Sequence, residues 1–161
     1  MIAIADASPL HYLILLGVID DIPQLFDAVL APPAVLAELT HAHAPEVVRL
    51  WAGTPAAWLR VQLPADAVAD LPTRLGPGER DALALRAPLA DAVLLVDDRD
   101  ACREALRRGW AVLGTLGLLR ALAAAHPPRL DLPDALTRLR ATNFRVTDAQ
   151  VAAVLRAAQR D

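Results

Sequence analysis

Short apolar runs alternate with helix-patterned segments along this chain, and that alternation restricts its fold more than any other feature. The runs are I-A-I-A at residues 2–5, A-V-L at 28–30, W-L-R-V-Q-L at 58–63, V-L-L-V at 93–96 and W-A-V-L at 110–113. Short strands separated by helices are best accommodated side by side in one direction, which predicts an α/β fold with a mainly parallel sheet of four to five strands flanked by helices. Ser8 as N-cap and Pro9 at the first helical position predict a helix carried by Leu10, Leu13, Ile14 and Gly17. Further helices are expected at 20–26, at 34–40 after Pro32-Pro33, and at 45–51. Residues 66–78, rich in Pro, Asp and Gly, read as a loop leading into a helix at 79–87. A helix at 99–108 closed by Gly109 and another at 115–125 complete a core at about 2–125. Two more helices, 133–141 and 147–159, form a C-terminal extension at about 131–160, so that 161 residues make a single domain.

Composition removes several classes of function. Hydrophobic residues make up 55% of the chain, yet Asp, Arg, His or Pro interrupts every apolar stretch before it reaches the roughly 18 residues of a membrane span. The start has no basic segment and no small-residue cleavage site, so a soluble cytoplasmic protein is expected. Cys102 is the only cysteine, which excludes an intrachain disulfide and a zinc site built from several thiolates. All 16 basic residues are Arg, so no P-loop lysine, Schiff-base lysine or lysine partner for an aspartyl phosphate exists. The net charge of −3 does not by itself announce nucleic-acid binding.

What remains is a set of carboxylates. V-L-L-V-D-D-R-D, residues 93–100, ends a buried strand in clustered aspartates, an arrangement that a proton, a cation or hydrogen bonds must compensate. In a parallel sheet functional groups gather at the carboxyl edge, where Asp6 ends the first strand and Asp97-Asp98 end a later one. Glu38 lies in a helix that follows a strand, and Glu79 opens the helix that leads into the strand ending at Asp97. Each acid has an ordinary alternative. Asp6 suits a helix cap, Glu38 a solvated helix face, and Glu79, Asp98 and Asp100 a helix N-terminus. As a set without lysine, they match the hard oxygen ligation of Mg²⁺ or Mn²⁺. A haloacid-dehalogenase-type phosphatase is disfavoured because Ser8 stands where its second aspartate belongs, and a response-regulator receiver requires a lysine. His41 and His43 offer only a weak metal pair, and the tryptophans Trp51, Trp58 and Trp110 read as core residues.

Four segments in order, I-A-D-A-S-P-L at the start, P-P-A-V-L-A-E ending at Glu38, G-P-G-E-R-D-A-L-A-L at 76–85, and L-L-V-D-D-R-D-A-C-R-E-A followed by V-L-G-T-L-G-L-L, resemble the PIN-domain nucleases. The closest resemblance is to the branch related to VapC toxins of toxin–antitoxin pairs. It implies a PIN-like three-layer fold, a Mg²⁺- or Mn²⁺-dependent endoribonuclease, a homodimer and a cognate antitoxin. By the same resemblance Asp6, Glu38 and Asp97 or Asp98 are metal ligands, and the remaining catalytic acid is Glu79, or Asp81 in its place. Ser8 matches a small hydroxyl residue of the family, and Thr115 a supporting hydroxyl. Where the family's toxins often carry T-x-D-x-D-F, this chain has V-D-D-R-D-A, which leaves Asp97 and Asp98 as alternatives and marks a distinct subgroup. Arg99 and Arg103, one helical turn apart, are placed to hold RNA phosphates, against the alternative that they pair with Asp100 or Glu104. The competing class is a non-catalytic PIN-like module that binds nucleic acid or protein.

Overall fold

The five apolar runs all become strands in a computed structural model, which describes residues 1–160. Among these residues they are β1 (Ile2–Ala5), β2 (Ala28–Ala31), β3 (Leu59–Val61), β4 (Val93–Leu95) and β5 (Val112–Leu113). Every neighbouring pair is parallel, in the order β3-β2-β1-β4-β5. The connecting helices are α1 (Ala7–Leu16), α2 (Pro33–Leu39), α3 (Glu46–Gly53), α4 (Pro77–Arg86), α5 (Arg99–Arg107) and α6 (Thr115–Ala124), followed by α7 (Leu132–Arg140) and α8 (Asp148–Ala158).

The strands are apolar at nearly every position because both faces of the sheet are covered. Successive side chains point to opposite faces. Ala3, Ala5, Val29, Ala31 and Leu95 therefore meet Leu10 and Leu13 of α1, Leu118 and Leu122 of α6, and Leu136 of α7. Ile4, Leu30, Leu94 and Val96 meet Leu83 of α4 and Ala101 and Ala105 of α5 on the other side. The result is the expected three-layer α/β architecture. Each fully buried leucine or isoleucine contributes on the order of 2 kcal/mol, so polar groups are excluded from the strands until they end, except at the edge strand β3, where Arg60 is exposed. The C-terminal helices share the first of these cores, with Leu139 of α7 buried and Val151, Val154 and Leu155 of α8 packed against it.

Local expectations shift at four points. Ser8 does not cap α1, which begins two residues earlier than expected, at Ala7, with Asp6 in the N-cap position. The segment expected as a helix at 20–26 is a 3-10 helix over Ile19–Gln24, with Pro23 inside it unable to donate an α-helical hydrogen bond. The strand expected at 58–63 narrows to β3. The end of the loop expected at 66–78 is already helical, since Pro77 and Gly78 form the first turn of α4 behind Gly76. Gly17 and Gly109 end α1 and α5 at φ of 70° and 74°, a left-handed backbone that favours glycine. Trp51 and Trp58 pack on each other with centroids 5.8 Å apart. Among the described residues no helix is long and apolar enough to cross a membrane.

Candidate active site

The strand order decides where the acids meet. From the central β1 the chain moves first to β2 on one side, and later places β4 on the other. The carboxyl ends of β1 and β4 therefore bound the crevice in which ligands of open α/β sheets bind. The Asp6 N–H donates to the Leu95 carbonyl at 2.9 Å, tying the end of β1 to the end of β4. A cleft of about 1190 Å³ opens there, lined by Asp6, Ser8, Glu79, Asp97 and Asp98 among others. A smaller hollow of about 210 Å³ adds Glu38 and shares Asp6, Ser8 and Glu79. Five of the acids singled out by sequence thus reach one place, whereas Asp81 lines neither hollow.

The two adjacent aspartates divide their roles. Asp97 accepts hydrogen bonds from the Thr115 N–H at 2.7 Å, the Thr115 hydroxyl at 2.6 Å and the Ser8 hydroxyl at 2.9 Å. A Cβ on Gly114 would lie 2.8 Å from Asp97 Oδ1, so only glycine lets the backbone approach this carboxylate. Asp98 is exposed and caps α5 by accepting from the N–H groups of Asp100 at 2.9 Å and Ala101 at 2.8 Å. Three donors orient Asp97 within the cleft, while Asp98 serves the helix end at its wall. Thr115→Val removes a hydroxyl donor to an ionised acceptor, a loss of about 1–2 kcal/mol. Calorimetry should show Tm falling by about 3–6 °C, with activity reduced about tenfold as Asp97 gains freedom. A variant with unchanged Tm and rate would show that this hydroxyl does not position Asp97.

Asp6 is the most constrained of the set. It is 3% exposed, makes no side-chain capping bond, and its Oδ1 has no hydrogen-bond partner. Burial above all, and then the charge of Glu79, push its pKa up to about 8, with Glu38 and Asp97 adding smaller repulsions and the Ala7 backbone opposing them. Glu79 Oε2 is likewise buried without a partner. Glu38 is exposed on α2, yet partial desolvation first and Glu79 second raise its pKa, against the stabilising backbone of Gly78. A Cβ on Gly78 would stand 2.8 Å from Glu38 Oε1 and 3.1 Å from Asp6 Oδ1, so this glycine keeps open the space between the two acids.

Carboxylates left without partners in a buried cluster fit a hard divalent cation in donor chemistry and charge. As they stand, however, no three His, Cys, Asp or Glu side chains among the described residues come close enough together to hold a metal ion. Cys102 also lines the cleft, but burial and then the charges of Asp97, Asp98 and Asp6 push its thiol up to about 11, which keeps it from acting as a nucleophile at neutral pH.

The model of the DUF3368 family, described as a PIN domain, matches residues 2–160. This chain belongs to the PIN-domain family. Comparison with curated proteins and with solved structures finds no match. PIN domains are generally nucleases that use a divalent metal, and a nuclease-type activity in that general sense extends to this chain.

Within this PIN domain, the match runs beyond the expected core at 2–125 and takes in the last two helices. The remaining sequence-predicted residues separate in space. Ser8 and Thr115 act on Asp97. Arg99 lines the cleft, whereas Arg103 binds Asp100 at 3.2 Å and lines neither hollow. Glu104 is engaged instead by Arg107 and Arg108. His41 and His43 are exposed and lie outside both hollows, with the His43 N–H donating to His41 Nδ1 at 3.2 Å. Sequence reasoning did not single out Tyr12, Asn143, Phe144 or Arg145, all of which line the cleft of this PIN domain. No motif spacing joins Tyr12 to residues 131 positions away. The only local hint was the aromatic and basic pair Phe144-Arg145 in a break between helices.

Proposed function

We propose that this PIN domain is a ribonuclease that hydrolyses RNA phosphodiester bonds in this cleft with Mg²⁺ or Mn²⁺. The observation that carries the reading is the buried Asp6 carboxylate, with one oxygen unpartnered among like charges at the switch point of the sheet. Asp6, Glu38, Glu79 and Asp97 would hold the ion, with Asp98 beside them at the wall. A divalent ion in such a place lowers the pKa of water and neutralises charge on a phosphate. Asp97, steadied by Ser8 and Thr115, keeps its orientation when substrate enters. Arg99 offers the cleft a positive charge for the entering phosphate. Asp6, whose carboxyl pKa burial pushes up to about 8, would give up its proton on binding a cation.

RNA as substrate and a toxin role are supported by the resemblance to the VapC-related branch. The reading extends to a homodimer and a cognate antitoxin. In its favour are exposed apolar residues that such partners would cover, Val47 and Leu50 on α3 and Val61 and Leu63 at the β3 edge. A small antitoxin gene beside this one would strengthen that part.

The test is cleavage of a mixed pool of structured and single-stranded RNAs, and of DNAs of the same sequences, with Mg²⁺ or Mn²⁺ and with EDTA. RNA cleavage that EDTA abolishes is the expected result. Cleavage indifferent to EDTA overturns the metal centre, cleavage of DNA alone overturns the substrate, and binding without cleavage indicates a non-catalytic nucleic-acid module.

A further inference from the structure

The far end of the chain supplies part of the cleft wall. Asn143, Phe144 and Arg145, between α7 and α8, line it together with Asp6 and Asp97. Two contacts fasten this segment to α1. The Tyr12 hydroxyl donates to Asn143 Oδ1 at 3.0 Å, and the Tyr12 and Phe144 rings meet edge to face with centroids 4.8 Å apart. Thr147 then starts α8 in a capping box with Gln150. The segment is held in place by residues that leave the Arg145 side chain unused.

Six arginines elsewhere are engaged in ion pairs: Arg74 and Arg103 with Asp100, Arg107 and Arg108 with Glu104, Arg138 with Asp134, Arg140 with Asp148. The cleft is lined by two arginines, Arg99 and Arg145. Both are exposed, and among the described residues neither makes an ion pair or a side-chain hydrogen bond. An arginine that lines a carboxylate-bearing cleft without pairing to those carboxylates remains free for an anion, and its guanidinium matches phosphate in a bidentate manner. We propose that Arg145 is a substrate-binding residue that holds a backbone phosphate of the RNA flanking the one hydrolysed, with Arg99 contributing from α5. The inference rests on the nuclease reading and adds the C-terminal segment to the substrate site.

The test is binding of a fluorescently labelled, mixed-sequence single-stranded RNA to the full chain in EDTA, by anisotropy over a series of salt concentrations, for wild type, Arg145→Ala and Arg145→Lys. Arg145→Ala should bind about fivefold more weakly, with its log–log salt slope smaller by about 0.7 for one lost phosphate contact and its Tm unchanged. Arg145→Lys should recover the slope and part of the affinity, because lysine supplies charge without the bidentate fork. Affinity and slope equal to wild type would overturn the proposal, as would no RNA binding by wild type. Weaker binding with an unchanged slope, or with a lowered Tm, would also overturn it, since either marks a structural role. Wild type that binds RNA but does not cleave it with metal removes the nuclease reading, and these binding outcomes still decide the part played by Arg145.

Discussion

Asp6→Asn is expected to reduce metal-dependent cleavage at least 100-fold while raising the Tm of the ion-free protein. Both effects follow from the same buried carboxylate, whose Oδ1 is unpartnered and whose pKa is raised from 3.8 to about 8. The folded state holds this proton more tightly than the unfolded chain, so unfolding releases it between those two values. Stability from this group is therefore fully present below about pH 4, falls as pH rises, and is lost above about pH 8. The loss is on the order of several kcal/mol. Asparagine has nearly the same shape and no charge, so the two proteins should have similar Tm near pH 4 and diverge toward pH 8, where the variant leads by roughly 10 °C. Added Mg²⁺ or Mn²⁺ should stabilise the wild type at pH 8 and narrow the gap, because an ion held only by the folded state adds to its stability. Scanning calorimetry across pH, with and without metal, reads all of this. A gap that does not widen with pH would mean that Asp6 is not the strained carboxylate, and a variant that still cleaves would place the metal-dependent centre elsewhere.

Gly78→Ala should produce the other large effect without replacing a charged group. Its new Cβ would lie 2.8 Å from Glu38 Oε1 and 3.1 Å from Asp6 Oδ1, in the opening between two acids of the cleft. The Glu38 side chain is exposed and can swing away, so the fold should survive. Alanine is also the better helix former in the first turn of α4, which offsets part of any strain. The acids, however, can no longer approach from both sides of that opening, and misplacement by about 1 Å can cost two orders of magnitude in rate. Cleavage should fall about 100-fold with Tm within about 3 °C of wild type, and the concentration of Mg²⁺ needed to stabilise the protein should rise. If Gly78→Ala cleaves normally with normal metal dependence, the space beside Gly78 is not where the cation is held.

Local patterns carried a large part of this structure. Apolar runs located all five strands, and Gly109 marked a helix end, because strand and helix periodicity and left-handed caps depend on residues only a few positions apart, although Gly17, expected inside the first helix, ends it. The same local logic failed at Ser8. A serine followed by proline reads as a helix cap, but its hydroxyl is taken by Asp97, 89 positions away, once β1 and β4 are neighbours. Sequence leaves Asp97 and Asp98 as alternative ligands, and Thr115, Gly114 and the start of α5 give the two different partners.

The sequence by itself determined the α/β alternation, the acids at the ends of β1 and β4, and the absence of lysine that removed competing chemistries. Tertiary structure alone decided which of those acids is buried and unpartnered, that Gly78 keeps open the space between two of them, and that Asn143 to Arg145 join the cleft. The reason is physical: element type follows from short-range periodicity, whereas desolvation and charge repulsion at Asp6 depend on groups from β1, α2, α4 and the end of β4 that meet only when the sheet is ordered.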